Sequence, residues 1–101
     1  MAEFVQVAKL SDLEAGSCKA VEAAGKTIAL FNVGGTIYAL DNVCLHRGGP
    51  LGEGFLQGNV VTCPWHMWEY GVCTGERLGD PALKVCTYPV QIEGNEIKVA
   101  V

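Results

Sequence analysis

The sequence predicts an all-β fold, a small antiparallel sandwich or barrel that carries an inserted ligand-rich segment. Three observations predict it. Short runs rich in Val, Ile, Leu and Phe follow one another with turn signals between them. Two of those signals, Gly34-Gly35 and Gly94-Asn95, are two-residue hairpin turns. The stretch 41–79 differs from its flanks: it holds eight of the thirteen glycines, both His, both Trp and three of the five Cys.

In chain order, Phe4–Ala8 reads as a short strand. Ser11-Asp12-Leu13-Glu14 offers a helical turn, with Ser11 as N-cap and Glu14 three residues on, but Gly16 ends it too early for a helix. Ser17–Ala23 is a strand, and Lys26–Val33 is a stronger one. After Gly34-Gly35 the chain returns over Thr36–Leu40. Within the ligand-rich stretch only Gly58–Thr62 reads as a strand. Lys84–Glu93 and Glu96–Val101 then form a closing hairpin. The whole chain, 1–101, reads as one domain, with 41–79 as a subdomain inserted between strands. No internal repeat or low-complexity linker appears.

Composition narrows the classes of function. Half of the 101 residues are apolar and 18% are charged, which suits a folded domain. A core of this size gains from a metal or disulfide staple. The net charge of −4 argues against a nucleic-acid backbone as partner and fits docking on a basic protein surface. No basic segment followed by an apolar stretch opens the chain, and no stretch reaches the roughly 20 apolar residues of a membrane helix. Five cysteines suit a disulfide framework poorly, so a reducing cytoplasm is the expected setting.

The chemistry is concentrated in two short motifs. Cys44-Leu45-His46 is C-x-H, Cys63-Pro64-Trp65-His66 is C-x-x-H, and residues 47–62, sixteen in all, lie between them. A Cys and a His this close point the same way only on a tight loop. Gly48-Gly49-Pro50 and Pro64 supply turn-forming backbone for such loops. Two thiolates and two imidazoles make a four-ligand set that suits either zinc or an iron–sulfur centre.

These motifs, as Cys44-Leu45-His46-Arg47-Gly48-Gly49 and Cys63-Pro64-Trp65-His66-Met67-Trp68-Glu69-Tyr70, resemble those of the Rieske family, and of its small ferredoxins in particular. Pro50-Leu51-Gly52, Gly58-Asn59-Val60-Val61-Thr62 and a proline loop at Gly79-Asp80-Pro81-Ala82 extend the resemblance over essentially the whole chain. It implies one [2Fe-2S] cluster per chain. Cys44 and Cys63 would hold one iron, and His46 and His66 the other, near the protein surface. Replacing two thiolates by neutral imidazoles makes the site less negative, so reduction is easier than in all-thiolate ferredoxins.

The resemblance also points to a subtype. High-potential Rieske proteins carry a further pair of cysteines that form a disulfide between the cluster loops; Gly49 and Trp65 stand at those positions here. Trp68 stands where those proteins have a serine that donates to a bridging sulfide. Fewer donors imply a low potential, nearer about −150 mV than +300 mV. Tyr70 works the other way if its hydroxyl reaches a cysteine sulfur. Cys18, Cys73 and Cys86 fall in no ligand motif and are expected to be buried, small apolar thiols.

With only two His, the chain has none left for a mononuclear iron once a cluster is held, and no G-x-G-x-x-G follows a strand. The expected role is therefore one-electron transfer and not catalysis. The resemblance implies a monomeric, cytoplasmic ferredoxin of a multicomponent system in aromatic hydrocarbon catabolism. It would pass electrons from a flavoprotein NAD(P)H reductase to a terminal ring-hydroxylating oxygenase, with no membrane or nucleic-acid partner. Two other readings stand beside it: a Rieske subunit of a larger, nitrite-reductase-like enzyme, and a structural zinc module.

Overall fold

The computed structural model describes residues 3–42, 50–65 and 67–100. Its first strands are β1 (Phe4–Lys9), β2 (Cys18–Ala23), β3 (Lys26–Val33) and β4 (Thr36–Asp41). The expected helical turn is a single 3-10 turn at Leu10–Asp12, two residues early, with Lys9 and not Ser11 at its N-cap position. Asp12 reaches back to accept from the Lys9 N–H at 3.3 Å, while the Ser11 N–H donates to Asn95 Oδ1 at 3.3 Å.

Five short strands follow: β5 (Phe55–Gln57), β6 (Val60–Thr62), β7 (Glu69–Gly71), β8 (Glu76–Arg77) and β9 (Asp80–Lys84). The strand expected at Gly58–Thr62 begins at Val60, because Gly58 takes a positive φ of 62° and turns the chain out of β5. The single strand expected over Lys84–Glu93 is instead three pieces: the end of β9, then β10 (Thr87–Tyr88) and β11 (Val90–Glu93). Each piece belongs to a different sheet. Val85 turns inward, its N–H donating to the Gly75 carbonyl at 2.9 Å, and Pro89, which has no N–H, separates β10 from β11. The last strand, β12, covers Glu96–Ala100; Val101 lies outside the described residues.

All pairings between these strands are antiparallel. They form sheets of order β1-β12-β11, β10-β4-β3-β2 and β5-β6-β7-β8-β9. The middle sheet is covered on both faces. On β3, Ala29 and Phe31 face Leu51, Val61, Cys63 and Tyr70, whereas Ile28 and Leu30 face Leu13, Ile97 and Val99. That is why Thr27–Val33 reads as a nearly continuous apolar run and not as an alternation.

A second 3-10 turn, Leu51–Glu53, packs this sheet against the five-stranded one. Gly52 sits so close to β2 that a Cβ there would lie 2.7 Å from the Ala20 nitrogen, so only glycine fits. Among the described residues no helix is long and apolar enough to cross a membrane.

Candidate metal centre

Cys63 follows directly on β6 and is fully buried. Val61 and Cys63, two apart on an extended chain, share a face. The register Val61↔Tyr70 and Thr62↔Glu69 brings Trp68 opposite Cys63, and the Cys63 N–H donates to the Trp68 carbonyl at 2.7 Å. Val61, Cys63, Trp68 and Tyr70 therefore form one patch on the inner side of the five-stranded sheet. Tyr70, a large aromatic, is fully buried within it.

The Cys63–Trp68 bond closes a turn in which Met67 has φ +60°, an unusual conformation for a residue with a Cβ. Trp65 and Met67 point outward from this turn, 51% and 60% exposed. Next along the sheet, Arg77 pairs with Tyr70 in register, and its guanidinium lies 3.5 Å from the centroid of the Trp68 ring.

Of the four expected ligands, Cys63 is described; Cys44, His46 and His66 lie outside the described residues, as do Arg47 and Gly49. The structure does show what anchors the first motif. Asn42 is buried just before it, and its carbonyl accepts from the Leu51 N–H at 2.8 Å. Its side-chain Oδ1 accepts from the Gly52 N–H at 2.6 Å, and its own N–H donates to the Thr27 carbonyl at 3.1 Å. One residue thus ties both flanks of the segment 43–50 to each other and to β3. Leu51 and Cys63 then meet in one core cluster, so the bases of the two motif segments share a floor. Sequence reasoning missed Asn42. An Asn beside a Cys/His motif is the available signal, but its partners become visible only in the fold.

The remaining cysteines correct the expectation of buried thiols. Cys73 and Cys86 are exposed and Cys18 is half-buried. Cys73 lies in the β7–β8 connection within the five-stranded sheet, and Cys86 in the β9–β10 connection that takes the chain from that sheet to the middle one. Burial raises the Cys18 thiol above the ordinary range, and its Sγ contacts the Gly54 carbonyl at 3.4 Å. The hydrogen bond between Tyr38 and Cys73, and then their mutual charge, raise the Tyr38 phenol. Among the described residues no group of three or more His, Cys, Asp or Glu forms another metal site. A groove lined by Tyr38, Cys73, Tyr88 and Val90 lies at the other end of β7 from the Cys63–Trp68 turn.

The donor chemistry fits a [2Fe-2S] group. Cys63 supplies a sulfur in a dry, apolar setting, and the motifs add one further thiol and two imidazoles.

The comparisons with known proteins agree. The family profile described as Rieske [2Fe-2S] domain matches residues 3–89. The chain is 41% identical over 95 residues to the ferredoxin component of the naphthalene 1,2-dioxygenase/salicylate 5-hydroxylase systems of a Ralstonia species, covering 93% of this chain and 91% of that one. Its fold superposes on the ferredoxin of carbazole 1,9a-dioxygenase from Nocardioides aromaticivorans IC177 with a TM-score of 0.88, 32% identity and 96% of each chain covered. It also superposes on a chain of a complex of reduced oxygenase and oxidized ferredoxin in carbazole 1,9a-dioxygenase, with a TM-score of 0.87, 31% identity and 96% and 92% covered. The expectation of an all-β Rieske fold is met and a structural zinc module is set aside: the chain belongs to the Rieske [2Fe-2S] domain family.

Proposed function

We propose that this chain is the ferredoxin component of an aromatic-ring dioxygenase system, an electron carrier that delivers electrons to a terminal oxygenase and performs no catalysis itself. The observation that carries the reading is likeness along nearly the whole chain to dioxygenase ferredoxins, 41% over 95 residues in one case. The complex of a carbazole dioxygenase oxygenase with its ferredoxin supports the terminal oxygenase as the partner. A flavoprotein NAD(P)H reductase as electron source, a cytoplasmic location and a monomeric state complete the proposal.

Cys44, His46, Cys63 and His66 would hold the group, two sulfurs on one side and two ring nitrogens on the other. When bound, it supplies a reversible one-electron couple. The chain's own residues do the rest. Val61, Leu51 and Tyr70 exclude water from the Cys63 side, and Asn42 fixes the base of the segment bearing Cys44 and His46. The exposed Trp65 and Met67 beside His66 offer a small apolar rim for a transient contact. We place the cluster-binding subdomain at 41–79 within a single domain of 1–101, a reading supported by the short strands β5–β8. Gly49, Trp65 and Trp68 support a low potential.

The test begins with iron and acid-labile sulfide in the purified, anaerobically reconstituted protein. Wild type is expected to carry both, and Cys63→Ser and His66→Ala to lose most of them. Full loading of those variants would overturn the ligand set. The reduced protein should show the lowered average g value of mixed His/Cys ligation in its EPR spectrum. A midpoint above about +100 mV would refute the low-potential assignment. Reduction by a reductase followed by single-turnover oxidation with a terminal oxygenase tests the carrier role.

A further inference from the structure

Two described cations lie over aromatic rings: Lys26, whose Nζ is 5.8 Å from the centroid of the Tyr88 ring, and Arg77, which sits much closer to its own. Lys98 forms a 2.7 Å ion pair with Glu93 on the outer sheet, the only ion pair among the described residues. Arg77 has Asp80 opposite it across the β8–β9 hairpin, yet its guanidinium does not pair with that carboxylate. It lies instead over Trp68, 3.5 Å from the ring centroid, and both residues are half-buried. Trp68 is the residue whose carbonyl receives the Cys63 N–H. The stack therefore sets a permanent positive charge on the ring of the residue that lies opposite Cys63, and the Arg77–Tyr70 register puts it on the same face of the sheet.

We propose that Arg77, braced on Trp68, is an electrostatic residue that raises the reduction potential of the bound cluster. This rests on the assignment of Cys63 as a ligand made above. Reduction adds one negative charge to the site. A fixed cation on the Cys63 side stabilises that charge more than it stabilises the oxidised state, and partial burial limits screening by water and salt. Trp68 performs the holding: a planar guanidinium stacks on an indole, whereas the compact, strongly hydrated ammonium of lysine does so less well. Asp80 opposes the effect from the other side of Arg77.

The experiment is redox titration of the loaded protein, with iron and acid-labile sulfide measured on each variant. Arg77→Gln is expected to move the midpoint to more negative values, by an amount that shrinks as ionic strength rises. Arg77→Lys should retain part of the wild-type value, and Asp80→Asn should move the midpoint in the positive direction. Lys98→Gln, on the outer sheet, should leave it in place. An unchanged midpoint in a fully loaded Arg77→Gln protein would overturn the proposal and leave Arg77 a brace for the β7–β8 hairpin. If Arg77→Gln fails to load, Asp80→Asn and Arg77→Lys decide, since neither removes the cation. Failure of the ligand assignment would show differently, as a Cys63→Ser protein that keeps its iron and sulfide.

Discussion

Asn42 uses its backbone and its side chain for the same task. Its carbonyl and its Oδ1 accept from successive amides, Leu51 and Gly52, in a buried setting. Asn42→Ala would leave the Gly52 N–H unsatisfied, at a cost of about 1–3 kcal/mol. Urea denaturation should report that loss, and cluster retention should fall with it, because the flanks of the segment bearing Cys44 and His46 would be released. Cys44, His46, Cys63 and His66 were legible in the sequence because their side chains announce their chemistry at short spacing. Asn42 was not, because asparagine beside a turn is commonplace and its partners lie nine and ten residues away. Arg77 was equally silent, since its importance lies in a cross-strand neighbour.

The β2–β3 turn shows what can be read from strand and turn patterns. It is made by Ala24 and Gly25, both with positive φ, 51° and 78°. Glycine accepts this conformation freely, whereas alanine pays roughly 1–2 kcal/mol. Ala24→Gly should therefore stabilise the fold, by up to about 1 kcal/mol after the extra entropy of an unfolded glycine is counted; a raised midpoint in thermal denaturation will check it. The Gly34-Gly35 and Gly94-Asn95 hairpins were legible because turn residues separate long β-favouring runs. β5, β7 and β8 were not. At two or three residues each they show no period, and they are held by register with neighbours and by Val61 and Tyr70 in the core. The split of Lys84–Glu93 into three strands was hidden for a related reason: one apolar pattern serves three sheets in turn.

Across the whole molecule, stability should fall on the alkaline side. Burial raises the Cys18 thiol, the hydrogen bond with Cys73 raises the Tyr38 phenol, and burial followed by the charges of Asp41 and Cys86 raises the Tyr88 phenol. For each group the folded chain holds its proton to higher pH than the unfolded chain does. The contribution is thus fully present below the unfolded pKa and is lost as pH rises through the folded one. The melting temperature of the loaded protein should decline from about pH 9 toward pH 11, the range in which thiols and phenols titrate. A flat profile across that range would refute it.

The middle sheet, clad on both sides, has one more consequence. Ile28, Ala29, Leu30 and Phe31 are each fully enclosed, and neighbours in sequence answer to opposite layers. A strand with no outward side leaves mutation nowhere neutral to land, so a change of volume made to suit β12 is transmitted through the shared backbone to the layer that seats Cys63. The scope for divergence in such a protein therefore lies at the exposed positions of its two outer sheets, such as Phe55, Gln91 and Ile92.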